Sequence, residues 1–292
     1  MTELQYESDK KVYKLGYIEG YVSIILNLLL FAGKFYIGKN INSVSLKADA
    51  WHTLSDSVTS LILLAGLYIS SKPPDTEHPF GHGRVEKITS LIIGLLLALV
   101  AANFFKDSVI RIHGKVVITF TLASILIQAL CAVLKQGLAI FSFWAGNKVR
   151  MQALIADGWH HQSDALTSVL FLVGVALSGR IPMIDGYLGI LISLTILWTA
   201  FDIIKNSISP LLGENVSDEM INKVLEEVSK IDPRISSLHH FHVHKYGRHV
   251  ELTFHLRLPK EITLEESHRI TQEIEKILIS YNINATIHVE PY

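Results

Sequence analysis

The feature that most constrains this chain is a succession of apolar stretches, each long enough to cross a bilayer. They run from about Leu15 to Ile37, Val44 to Ser70, Ile88 to Phe105, Val116 to Phe143, Leu154 to Ser178 and Gly186 to Ile204. A helix needs roughly 20 mostly apolar residues to span the hydrocarbon core, and in lipid it must pair its own backbone groups, so six membrane helices are expected. Charged residues are only 18% of the chain and hydrophobic ones 49%, where soluble domains carry about 25% charged residues. The first fourteen residues are polar, so no cleavable signal peptide is expected. Lys and Arg number 26 against 27 Asp and Glu, which gives no support to a nucleic-acid partner. Cys131 is the single cysteine; it excludes an internal disulfide framework and a thiolate zinc cluster, and reads as a core residue.

From about Gly213 the character changes, and the chain divides into a transmembrane domain, 1–212, and a second domain, 213–292. The second reads as helix (Asp218 to Ser229), strand (Ile235 to Lys245), strand (His249 to Leu258), helix (Thr263 to Tyr281) and strand (Asn284 to Val289). Leu252, Phe254, Leu256 and Leu258 alternate as a half-buried strand should. Pro259 ends that strand, and Thr263 to Glu266 has capping-box form. Two helices on a small mixed sheet make an α+β sandwich. An even number of spans puts both termini on one side. Lys10, Lys11, Lys14, Lys72, Arg84, Lys148 and Arg150 lean to that side against Lys34, Lys39, Arg111, Lys115 and Arg180 opposite, which favours cytoplasmic termini.

The second and fifth spans repeat one another. SLKADAWHTLSDSVTSLILLAG, from Ser45 to Gly66, and ALIADGWHHQSDALTSVLFLVG, from Ala153 to Gly174, share Leu, Ala, Asp, Trp, His, Ser, Asp, Thr and Ser at matching places. Spans three apart run in opposite directions, so this is an inverted repeat, a design that places transport sites near the midplane. Each copy holds His-x-x-x-Asp: His52 with Asp56, and His160 with Asp164. Residues four apart share a helix face, so two such helices can aim two imidazoles and two carboxylates at one spot. That set suits a tetrahedral zinc ion. An ionisable group at the bilayer centre costs roughly 2.5 kcal/mol or more. A polar cluster that only glues helices does not call for matched pairs at helical spacing. Asp49 and Asp157 lie one turn earlier and can serve as an outer shell, an access path or a helix end.

Asp75, His78 and His82 lie in DTEHPFGHGR after the second span, a loop stiffened by Pro73, Pro74 and Pro79 and freed to turn by Gly81 and Gly83. They can bind a second metal, structural or feeding. Of fourteen histidines, the second domain holds His239, His240, His242, His244, His249, His255, His268 and His288. On its first strand His240, His242 and His244 alternate onto one face.

These residues resemble the cation diffusion facilitator family of metal–proton antiporters over nearly the whole chain. The marks are the paired His-x-x-x-Asp motifs and HPFGHGRVE. The resemblance implies a membrane transport site at His52, Asp56, His160 and Asp164 and a loop site at Asp75, His78 and His82. It also implies a cytoplasmic metallochaperone-like (ferredoxin-like) domain that pairs two subunits into a homodimer. That domain's metal site matches His239, His255, His268, His288 and Glu290, with His240 as an alternative to His239. Arg84 matches a base that in some members bridges the dimer to an acid; the acidic position falls on Gly213, with Glu214 beside it.

The expected function is proton-coupled export of a divalent transition metal from the cytosol across the cell (inner) membrane. The resemblance implies that His52 favours zinc, as cargo and as regulatory ligand, with cadmium or cobalt fitting the same ligands; a manganese or iron carrier of the same family is the alternative. No organic cofactor is implied. An intramembrane zinc enzyme needs an open coordination position and a nearby base, whereas four ligands here close the shell and no His-Glu-x-x-His helix exists. A metal sensor that transports nothing would not need the matched membrane pairs.

Overall fold

A computed structural model describes residues 3–40, 44–114, 122–177, 184–247 and 249–292. Lys115 and Arg180 lie outside them, as do the side chains of Lys10, Lys11, Asp49 and Arg111. Six long helices come first: α1 (Glu3–Asn40), α2 (Val44–Ser70), α3 (Val85–Gly114), α4 (Leu122–Val149), α5 (Gln152–Leu177) and α6 (Ile184–Leu212). Then follow α7 (Asp218–Ser229), β1 (Ser236–Tyr246), β2 (His249–Leu258), α8 (Leu264–Ser280) and β3 (Ile283–Pro291). The apolar runs mark where the long helices meet lipid, not where they end. α1 begins at Glu3 because Glu, Leu, Gln and Lys are good helix formers outside the bilayer too.

The chain forms two compact units: residues 1–71 with 85–207, and residues 72–84 with 208–292. In the first, large apolar side chains such as Leu29, Leu122, Leu191, Trp198 and Phe201 face outward. Glu19, Ser23, Asn27, Lys34, Lys135, Asp157 and His161 are buried, beside an apolar core that includes Leu63, Leu67, Ile93, Leu97 and Leu154. Apolar outside with charge inside is what a bundle in lipid requires and what a soluble one avoids. Among the described residues, five helices qualify as spans by length and composition: α1, α2, α3, α4 and α6. The stretch in α5 carries Asp157, His160, His161 and Asp164, which dilute its apolar character. Several hydroxyls in the spans are satisfied within their own helices: Thr59 Oγ1 donates to Asp56 O at 2.7 Å, Thr167 Oγ1 to Ser163 O at 2.9 Å and Ser168 Oγ to Asp164 O at 3.0 Å.

The second unit is an α+β sandwich. Its sheet has the order β1-β2-β3, with β1 antiparallel and β3 parallel to β2. Both helices open on hydroxyl caps, Ser217 accepting from Met220 N and Thr263 from Glu266 N. The Glu266 carboxylate accepts from Arg234 Nη2 at 2.7 Å. Val224, Val228, Ile270, Ile274 and Leu278 from the helices meet Leu252, Phe254, Leu256 and Leu258 of β2 in one core. Strand alternation therefore turns Thr253, His255 and Arg257 to the opposite face.

The 72–84 loop joins this unit at the β1–β2 turn. Phe80 stacks on Tyr246 with ring centroids 4.9 Å apart, and the Arg84 guanidinium lies 4.2 Å from the Tyr246 ring centre. Gly83 makes this approach possible, because a Cβ there would sit 2.2 Å from the carbonyl oxygen of Tyr246. The obstacle is backbone, so Gly83→Ala is expected to cost about 1–3 kcal/mol. Thermal unfolding of the full chain would show this as a lowered transition in the second unit; an unchanged transition would contradict it.

Candidate metal centres

α2 carries Asp56 and α5 carries His160 and Asp164 into the interior of the first unit, where one ligand atom from each lies within 4.8 Å of the others. His160 Nε2 is 4.0 Å from Asp56 Oδ1 and 3.7 Å from Asp164 Oδ2, and it makes no hydrogen bond among the described residues. A buried imidazole nitrogen without a partner, aimed at two carboxylates, is poised to ligate. His52 is set apart: its side chain is 57% exposed, and its Nδ1 lies 3.2 Å from Asp56 Oδ1. The compact set is thus two carboxylates and one imidazole, with His52 at the edge, rather than four equal ligands.

The chain's own cation occupies this spot. Lys135 of α4 places Nζ 2.9 Å from Asp56 Oδ2 and 2.7 Å from Asp164 Oδ2, with its side chain 1% exposed. Sequence reading passed over it inside an apolar run. A lone charge in mid-span, which has to be paired in the interior, was the signal that could have found it. Breaking such a pair leaves buried carboxylates uncompensated and costs about 3–5 kcal/mol.

Asp157, one turn before His161 on α5, lies in a different cluster. With Glu19 of α1 and His161 it forms a fully buried group.

In the second unit the loop residues Asp75, His78 and His82 come together. Asp75 Oδ1 accepts from His78 N at 2.7 Å and from Glu77 N at 3.0 Å. The His78 backbone amide first, and the Glu77 amide next, hold the Asp75 carboxyl below the usual carboxylate range. The carboxylate is 3.5 Å from His78 Nδ1 and 3.6 Å from His82 Nε2.

On the sheet face away from the helices, register lines up three histidines: His239 opposite His255, and His255 opposite His288. Two overlapping groups result, His239 with His240 and His255, and His255 with His288 and Glu290. His240 joins because it takes a left-handed φ of 53° at an irregularity in β1, so the simple alternation of His240 with His242 and His244 does not hold. His268 stays out of both groups; it is on α8, its Nε2 3.0 Å from Gln272 Nε2. Arg84 donates from Nε to Lys245 O at 3.3 Å, while Lys245 Nζ is 3.8 Å from Glu214 Oε2.

Glu290 ties the histidine row together. It lies 3.0 Å from His255 Nδ1, 3.4 Å from His239 Nε2 and 3.2 Å from Arg257 Nε. The hydrogen bond from His255, then that from Arg257, draw its carboxyl from 4.5 down to about 2. A carboxyl lowered on folding binds its proton less readily in the folded state. These contacts therefore stabilise the unit above pH 4.5 and fade as pH falls through about 2. In a carboxylate titration followed by NMR, Glu290 should have its midpoint near 2 in the native chain and move toward the ordinary range in His255→Ala; no movement would contradict the assignment.

Comparison with known proteins agrees with this arrangement. Residues 20–212 match the cation efflux transmembrane domain, and residues 216–292 match the cytoplasmic domain of cation efflux proteins. An uncharacterized transporter of Methanocaldococcus jannaschii is 36% identical over 272 residues, 92% of this chain and 96% of that one. The manganese efflux system protein MneS of Bacillus subtilis is 31% identical over 95% of this chain and 96% of its own. MneP of the same organism is 28% identical, covering 93% and 94%. The chain belongs to the cation efflux, or cation diffusion facilitator, family. It is a multi-pass integral membrane protein of a family whose members transport metal cations.

Proposed function

We propose that this protein exports a divalent transition-metal ion from the cytosol in exchange for protons, with Asp56, His160 and Asp164 as the transport ligands. The observation that carries this reading is their convergence in the buried interior of an apolar bundle, with His160 Nε2 lacking a hydrogen bond among the described residues. The matched His-x-x-x-Asp copies on α2 and α5 support an inverted repeat that exposes the site alternately to each side.

Charge balance governs loading. With neutral imidazoles, two carboxylates and the Lys135 ammonium leave the empty site at one negative charge. A divalent ion that displaces the ammonium brings the site to neutrality, whereas one that enters beside it leaves a buried positive charge. Lys135 therefore acts as an internal counter-ion that fills the empty carrier and yields to cargo. Ligand atoms must be deprotonated to hold a metal, so protons compete for the same carboxylate and imidazole atoms and drive release on the far side.

Manganese is the first ion to test. Two carboxylates and one imidazole form an oxygen-rich set suited to it, and the relatives include manganese efflux proteins. Zinc is the second reading, favoured by His52, whose approach to Asp56 would complete a two-nitrogen, two-oxygen tetrahedron. Cadmium and cobalt fit that same tetrahedron, and iron fits the oxygen-rich set. The loop trio and the His239–His255–His288–Glu290 face serve in this reading as cytosolic metal sites, zinc among their ligands, that bias the transport cycle. The chain works as a homodimer in the cell membrane with both termini cytoplasmic.

Flux into proteoliposomes under an imposed pH gradient tests the reading. Mn2+ uptake should follow the gradient and fall at least tenfold in Asp164→Ala, and His52→Ala should reduce Zn2+ flux more than Mn2+ flux. Flux indifferent to the gradient would remove proton exchange; Zn2+ transported in preference to Mn2+ would make zinc the cargo.

A further inference from the structure

The first unit holds a second buried constellation that shares no residue with the transport ligands. On α1, Glu19 and Ser23 are four apart and face inward; on α5, Asp157 and His161 do the same. His161 Nε2 lies 3.3 Å from Asp157 Oδ2 and 3.8 Å from Glu19 Oε1. All three side chains are wholly buried, and one ligand atom from each falls within 4.8 Å of the others. Hydroxyls close the rim. Ser23 Oγ is 2.9 Å from His161 Nε2 and 2.7 Å from Ser60 Oγ of α2, and Ser142 of α4 donates to Glu19 Oε1.

A network whose purpose is to hold helices together satisfies its polar atoms, since each buried one left over is costly. This one leaves Glu19 Oε2, both carboxylate oxygens of Asp157 and Nδ1 of His161 without a hydrogen bond among the described residues. Its charge is unbalanced as well. Two carboxylates face one imidazole, and with both ionised even a cationic ring leaves one negative charge in the interior, to be met by a proton or by a bound cation. The buried ammonium of Lys135 is committed to Asp56 and Asp164. Oxygens and a ring nitrogen without hydrogen bonds among the described residues, with carboxylates outnumbering the imidazole, are groups that a divalent cation can satisfy.

We infer that Glu19, Asp157 and His161 form a second intramembrane binding site for a divalent transition-metal cation. Two carboxylates, one imidazole and neighbouring hydroxyls suit manganese, iron or zinc, the same class as the cargo. The site adjoins the transport ligands: His160 and His161 are successive on α5, with ring centroids 5.7 Å apart. Asp157 and His161 lie in the N-terminal half of α5 and Glu19 near the middle of α1, so an ion held there would neighbour the Asp56–His160–Asp164 set. The inference concerns binding alone and does not depend on which ion is exported or on proton exchange.

Equilibrium dialysis of the purified full chain against Mn2+, with metal analysis, tests it. Asp157→Asn and Glu19→Gln should each lose about one bound ion per chain. Asp164→Asn should lose a different one, and Asp157→Asn combined with Asp164→Asn should lose both. An Asp157→Asn protein that is monodisperse, has native helix content and binds as many ions as the native chain would overturn the site. Should both variants misfold, anomalous scattering at the manganese edge from Mn2+-loaded native protein decides. A peak among Glu19, Asp157 and His161 supports the inference, and a peak at Asp56, His160 and Asp164 without one here refutes it.

Discussion

Two carboxylates buried in a lipid-facing bundle cannot stand alone, and most of the first unit follows from how their charge is met. Asp56 and Asp164 come from different helices, and their mutual repulsion in a medium of low polarity would drive those helices apart. Lys135 from a third helix joins them at 2.9 and 2.7 Å. One ammonium thus ties α2, α4 and α5 through a contact that a divalent ion can replace. Under the proposed function, this ammonium stands where cargo would bind, and loading would exchange one cation for another.

The rest of the bundle answers the same constraint. Apolar side chains face out, several hydroxyls return to their own helix carbonyls, and charged groups gather inside where they can pair. In the second unit the rules are those of water. An apolar core fixes one face of the sheet, so the other face is free to line up His239, His255 and His288 in register, with Glu290 drawn among them. One chain thereby holds imidazole–carboxylate sites in two very different surroundings.

Much of this was legible in residue order. Length and polarity marked the spans, alternation placed Leu252 to Leu258 inward, and helical spacing joined His160 to Asp164 and matched them to Asp56. What escaped were features set by neighbours distant in sequence. Lys135 and Glu19 sat within apolar runs and were absorbed by them, although a charge in mid-span is costly enough to demand a partner. His52 has the right spacing, yet its ring stays at the edge of the site. Periodicity gives a helix face but not the depth at which a ring sits. His268 lies on α8, away from the strand register that gathers the other histidines, and no spacing along the chain reveals that. His240 entered the row through a left-handed residue that disrupts the alternation.

The central claim is that Lys135 and the metal ion compete for Asp56 and Asp164, and metal affinity after removal of the ammonium addresses it most directly. The component of Mn2+ binding that Asp164→Asn abolishes can be titrated in the native chain and in Lys135→Met, whose neutral side chain is of similar length. The account predicts binding at least tenfold tighter in Lys135→Met, about 1.4 kcal/mol, because no cation need be displaced. Affinity unchanged or weakened in a well-folded Lys135→Met protein would contradict it and leave the lysine as a structural tie only.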